Sequence, residues 1–319
     1  MSDVFTNALN APAGRLAEVL LKKFVREVDG ALPVDLQNRL DKLVDAPGKS
    51  GLLGRVRLAC DVPFLFDQAP QWTTRKLLPI FDWATPEAGF AWSSRKYSRW
   101  IGSPELFGLL KKPFFEIFER NDIPAEEMRI FADWLAAILI ANQAHKASYP
   151  LTGNEARGLL RRAGPEAMAS VGHRLATEIE RATPAERAER WRSVVGPVFQ
   201  AIWPLDVELQ TPATTFKLVQ LLRATGDAFP EAADIIIPFI RPEDQQAHTT
   251  VFSIAQAPIE FFQAAPSRVL DLLAAVVGDP APGSVYMLGG ALSRLKEVAP
   301  DLANTRKFQK LQTFASPHV

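Results

Sequence analysis

The sequence predicts an all-α chain of stacked helical hairpins, either a HEAT-like α-solenoid or an irregular array. Three observations predict it. Proline recurs at helix starts, apolar residues recur with helical period, and neither strand alternation nor an Asn-Gly hairpin turn is evident. There are 25 prolines in 319 residues. A proline in the first helical turn loses no hydrogen bond, because the amide it lacks would have no intrahelical acceptor.

In chain order, "NAPAGRLAEVLLKKF" (Asn10–Phe24) comes first. Asn10 is a candidate cap and Pro12 a candidate first-turn residue. Leu16, Val19, Leu20 and Phe24 fall on one helix face. A phosphate loop would need a preceding strand and further glycines, so a plain helix start is the better fit. "APGKSGLLGR" (Ala46–Arg55) comes closer, with Gly48-Lys49-Ser50, but it lacks the earlier glycine and is expected to be an interhelical turn. Cys60, the one cysteine, lies among apolar residues and is expected to be a buried, inert thiol. With no second cysteine the chain can form no internal disulfide and no Cys-based zinc site.

Helix starts then recur at "TPEAGF" (Thr85), "SPELFGLL" (Ser103), "IPAEEMRIF" (Ile123), "TPAERAERW" (Thr183), "TPATTFKLV" (Thr211), "FPEAADIII" (Phe229) and "APSRVLDLL" (Ala265). Thr152–Glu155 and Thr183–Glu186 have the spacing of capping boxes, in which each side chain satisfies the other's free amide. Core-facing stripes are expected at Phe131, Leu135, Ile138 and Leu139, at Leu218, Leu221 and Leu222, and at Val269, Leu272, Leu273 and Val276. "ADIIIPFI" (Ala233–Ile240) is β-branched, but Pro230 and Glu231 mark a helix start before it. The expected organisation is one continuous array over residues 1–319, of on the order of fifteen helices, with "ASYPLTGNE" (Ala147–Glu155) as the place for an internal break.

Lys+Arg and Asp+Glu both number 36, so net charge gives no general attraction to a polyanion or an anionic membrane. The first residues carry no signal-peptide pattern, and the longest apolar run, Trp134–Ala141, is too short to span a bilayer. A cytoplasmic location with no membrane partner is expected. The four histidines are scattered, and no HExxH, Cys/His cluster or Gly-x-Ser-x-Gly elbow occurs. No catalytic residue, metal ligand or cofactor is therefore assigned. Glu126/Glu127 and Glu178/Glu180 are expected on solvated faces.

One stretch stands out, "FAWSSRKYSRWIGSPELFGLLKK" (Phe90–Lys112). Trp92, Lys96 and Trp100 are spaced by four, with Arg95 and Arg99 as an adjacent stripe and Lys111 and Lys112 beyond. These seven residues are the candidate binding site. Trp and Arg anchor interfaces, and Trp also stacks on bases. The competing structural role is a core helix whose tryptophans pack inward while basic stems reach outward. A second basic cluster, Arg157, Arg161 and Arg162, is expected to be solvated.

"LNAPAGRLAEVLL", "RKLLPIFDWATPEAGFAWSSRKYSRW", "FADWLAAIL", "LTGNEARGLLRRAGPEAMASVGHRLA", "AERWRSVVGPVFQAIWP" and "GDAFPEAADIII" together resemble a helical domain of unknown function in bacterial anti-phage proteins. That domain commonly follows a sirtuin-like, NAD-consuming domain. The resemblance covers about Asn7–Ile240. The chain shows no strand-borne glycine loop, so the family's NAD-consuming activity is carried over to no residue here. The resemblance implies a non-catalytic protein-interaction or sensing module of an anti-phage system. Its partner would be a protein, either an effector subunit or a phage product. The alternative is a nucleic-acid-binding helical repeat protein that uses the basic-aromatic helix.

Overall fold

A computed structural model describes residues 4–23, 32–98, 101–242 and 247–316, without the side chains of 247 and 248. The fold is all-α, an array of helical hairpins. Among the described residues no strand occurs, only an isolated bridge between Val285 and Ala315. The chain divides into two compact units, one of residues 1–127 with 148–150, the other of residues 128–147 with 151–319. The expected break at Ala147–Glu155 thus holds three residues that pack with the first unit.

The first unit contains α1 (Val4–Asn10), α2 (Pro12–Lys22), α3 (Val34–Val44), α4 (Gly48–Cys60), α5 (Val62–Gln68), α6 (Pro70–Lys76), α7 (Ala88–Arg95) and α8 (Pro104–Ile117). Helices α1, α2 and α7 pack on α4. Several of these helices are only two turns long, shorter than their periodicity predicts, because chain reversals at Ala11, Asp61 and Ala69 cut the apolar runs. Two expectations are corrected here. Asn10 does not cap α2. It closes α1 by donating its amide to the Thr6 carbonyl at 3.0 Å, and the cap position belongs to Ala11, which makes no side-chain bond. Gly48-Lys49-Ser50 is not a turn but the first turn of α4.

The apolar stripe of α2 also differs from its expectation. Gly14, Ala17 and Leu20 face the core, while Leu16 and Val19 are 49% and 48% exposed. The small residues are inside because the backbones of α1 and α2 nearly touch: a Cβ on Gly14 would lie 1.7 Å from the Ala8 carbonyl oxygen. Phe24 lies outside the described residues.

Helix α9 (Ala125–His145) starts in the first unit and continues in the second. The second unit then runs through α10 (Gly153–Ala163), α11 (Pro165–Glu180), α12 (Arg187–Arg190), α13 (Gly196–Ile202), α14 (Pro212–Ala224), α15 (Phe229–Ile236), α16 (Ala247–Ala255), α17 (Ile259–Ala264), α18 (Pro266–Val277), α19 (Leu288–Val298) and α20 (Arg306–Phe314). Helix α11 packs along α14, α10 along α13, and α18 beside α16 and α20. The stripes on α9, α14 and α18 are buried as their period predicts. Thr152 and Glu155 form the expected capping box at α10, and Thr183 and Glu186 form another. A third, unforeseen, joins Thr211 and Thr214 at α14.

Between α12 and α13, Trp191–Val195 forms a π-helical turn. The sequence dictates it. Pro197 has no amide to give the Ser193 carbonyl, so the regular ladder fails there. The Gly196 amide bonds one residue further back, to Trp191, and the Gln143 side chain donates to the orphaned Ser193 carbonyl at 2.9 Å. Trp191, Val194 and Val195 stay buried through the turn.

Two carboxylates expected on solvated faces are buried instead. Glu127 hydrogen-bonds to Ser93 and Lys96, and Glu178 pairs with Arg181 and Arg190. Burial of a carboxylate is tolerable because each has cationic partners close by. No helix of the described residues is long and apolar enough to cross a membrane.

Candidate functional site

The stretch Phe90–Lys112 is not one helix. Helix α7 ends at Arg95, Gly102 takes the left-handed region at φ 109°, and α8 begins at Pro104. Pro104 pushes Ser103 into extended backbone, where its hydroxyl caps α8 by accepting from the Leu106 amide at 3.2 Å. Lys96 therefore stands at the cap just past the helix that carries Trp92. Arg99 and Trp100 lie outside the described residues.

Trp92 takes the structural role. It is 2% exposed, packs against Phe81 and Phe114, and donates its indole N–H to the Phe81 carbonyl at 3.0 Å. Arg95 is also internal, at 1% exposure, which corrects its expected place on a surface stripe. Its guanidinium donates to the carbonyls of Cys60 at 3.2 Å and Ile101 at 3.1 Å. Burial pushes it down to about 10, opposed by Cys60 and Asp61. Its task is to tie the end of α4 to the α7–α8 connection. Cys60 is half-buried rather than buried as expected; burial first, then Asp61, pushes its thiol up to about 11.

Lys96 is bound to its own chain. It donates to Glu127 at 3.2 Å and Glu126 at 3.3 Å, and its ammonium sits 5.2 Å from the Tyr97 ring centre. Burial works against its charge, yet the hydrogen bonds to Glu127 and Glu126 hold it above the ordinary lysine range. The second basic cluster is partly committed too. Arg157 hydrogen-bonds the Gln200 carbonyl, and Arg161 pairs with Asp206 at 2.8 Å. Among the described residues of the predicted site, the accessible ones are on α8. Lys112 is exposed, Lys111 is half-buried over the Phe115 ring at 5.2 Å, and Leu109 is 49% exposed beside them.

A second surface feature joins the two stretches that most resembled phosphate loops. Helices α2, α3 and α4 enclose an open cleft of about 800 Å³. Pro12, Ala13 and Leu16 come from the opening stretch, Ala46 and Ser50 from the glycine-lysine stretch, and Asp35, Asn38, Arg39, Lys42 and Leu43 from α3 and its end. Arg39 is paired with Asp35 at 2.9 Å, whereas Lys42 is exposed and has no ion-pair partner among the described residues. Gly51 serves close packing, since a Cβ on it would meet the Ala46 carbonyl oxygen at 1.7 Å, the same contact type as Gly14 with Ala8, whereas Gly48 supplies a left-handed φ of 65°. The lining of the cleft is thus half apolar and half polar. Its sequence signal was present in Leu16 and Val19, too many large apolar residues for a helix whose small residues meet the core.

Among the described residues no group of three or more His, Cys, Asp or Glu is placed to hold a metal ion. No protein-family model matches the chain, and no solved structure matches it. It is 22% identical over 320 residues to an uncharacterised protein, y4cA, of Sinorhizobium fredii (strain NBRC 101917 / NGR234). The match covers 99% of this chain and 26% of that protein, so the chain spans about a quarter of the relative's length.

Proposed function

We propose that the chain is a non-catalytic protein-interaction or sensing module, and that it takes its partner in the α2–α3–α4 cleft. One observation carries this reading. Leu16 stands half exposed on the cleft wall, over a floor of Ala13 and Leu43, with Lys42 uncommitted on the rim. Exposed apolar side chains grouped beside a concave surface are what a protein partner covers. The similarity to one quarter of a longer protein suits a module that works beside other parts. The anti-phage setting, with an effector subunit or a phage product as partner, rests on the sequence resemblance and on nothing else. The nucleic-acid alternative has less support, because Arg95 is internal and Lys96 is neutralised by Glu126 and Glu127.

The test is affinity capture from phage-infected and uninfected bacterial lysates, with wild type and Leu16→Asp side by side. The expected result is a protein captured by wild type and lost by the variant at an unchanged melting temperature. Turnover of NAD or ATP by the pure chain, or capture that ignores Leu16→Asp, would overturn the proposal.

A further inference from the structure

The outward face of α8 carries a pattern that fits itself. Glu105, Leu109 and Lys112 are spaced by four and then three residues, so they form one line along the helix, with Gly108 beside Leu109. Glu105, Gly108, Leu109 and Lys112 are all exposed. Among the described residues neither Glu105 nor Lys112 has an ion-pair partner, although other charged groups of the first unit are paired, as with Lys96, Lys76 and Arg55.

We propose that α8 is a self-association face, which binds α8 of a second copy of this chain in antiparallel orientation. A two-fold axis passing between Gly108 and Leu109 sets Glu105 of each copy opposite Lys112 of the other. It also sets each Leu109 over the other copy's Gly108. Glu105 and Lys112 are two turns apart, about 10 Å along the axis, one on each side of that centre. The interface is isologous: one patch supplies both halves, two ion pairs flank two leucine-on-glycine contacts, and no unlike partner is needed. Gly108 leaves the hollow that a leucine needs. A Cβ there would meet only Pro150, at 3.6 Å, so Gly108 is not demanded by packing within the chain. Pro150 adds an exposed apolar wall to the hollow. Sliding one copy by one turn along the other, toward the C-terminal end of α8, sets Glu105 against Glu116, which disfavours that register. This face is separate from the α2–α3–α4 cleft, and its fate does not decide the cleft's. A single helix face is small, so the dimer is weak, with a Kd on the order of 100 µM.

Sedimentation equilibrium of the full chain over a concentration series tests this. Wild type is expected to show a reversible monomer–dimer equilibrium. Glu105→Lys and Lys112→Glu, each alone, place like charges opposite one another and are expected to weaken it by about tenfold or more. The double variant Glu105→Lys/Lys112→Glu restores the pairs across the axis and is expected to recover wild-type association, which a foreign surface or general stickiness would not do. Gly108→Leu fills the hollow and is expected to abolish the dimer without lowering the melting temperature. A chain that stays monomeric throughout, a dimer indifferent to Gly108→Leu, or a folded double variant that fails to recover would each overturn the proposal.

Discussion

Helices α7 and α8 are neighbours in sequence and both carry aromatic and basic residues, yet the fold treats them in opposite ways. On α7 the cations are consumed. Arg95 holds two carbonyls in the interior, and Lys96 is shared between Glu126 and Glu127. On α8 the charges of Glu105 and Lys112 are left over. The difference lies in what stands opposite each helix. Helix α7 packs on α4 and faces the start of α9, whereas Glu105, Leu109 and Lys112 on α8 are exposed. A basic side chain is a docking group only where the fold has not already spent it.

The largest test of this contrast is Trp92→Ala. It removes a buried indole, its contacts with Phe81 and Phe114 and its bond to the Phe81 carbonyl, and should cost about 3–5 kcal/mol in urea unfolding. Arg95→Met comes next. Its stem is replaced but the carbonyls of Cys60 and Ile101 lose their donor, a loss of about 2–3 kcal/mol by the same measurement. If Arg95→Met is instead neutral and weakens a partner, α7 is a surface helix and the contrast fails.

Lys96→Met should cost about 1–2 kcal/mol, because it strips a buried carboxylate of its cation. The pH dependence sharpens it. Lys96 is raised in the fold, so its contribution is complete below the ordinary lysine value and is lost only as pH climbs through the higher, folded one. The penalty of Lys96→Met should therefore be flat from about pH 6 to 9. The smallest effect belongs to α8. Lys112→Ala, measured at a concentration where the chain is monomeric, should change stability by less than about 0.5 kcal/mol.

How far the sequence foretold all this depended on the range of the interaction. Capping boxes at Thr152 and Thr183, and the proline after Ser103, act within one turn and are plain in the sequence. The stripes on α9, α14 and α18 could be read from period alone. The stripe on α2 could not, because its placement turns on a backbone contact between Gly14 and Ala8, and a glycine does not announce what it touches. The site failed for the same reason. Lys96 meets Glu127 across 31 positions and Arg95 meets Cys60 across 35. Nothing within α7 marks its cations as already partnered.

The π-helical turn at Trp191–Val195 has a consequence for how this chain can vary in length. Such a turn holds one more residue than a regular helix would and absorbs it locally, so the segment after it keeps its phase. Deleting one position from Arg192 to Val195 would leave Val198, Phe199 and Ile202 facing the interior, but in the regular helix so formed the carbonyl four positions before Pro197 would have no amide to accept from. A descendant that lost the extra residue would need a donor in place of Pro197, and would release Gln143, fifty positions earlier, from its bond to Ser193. The lost residue and the replacement of Pro197 would have to arrive together, so the count of residues between Trp191 and Pro197 should drift more slowly than their identities.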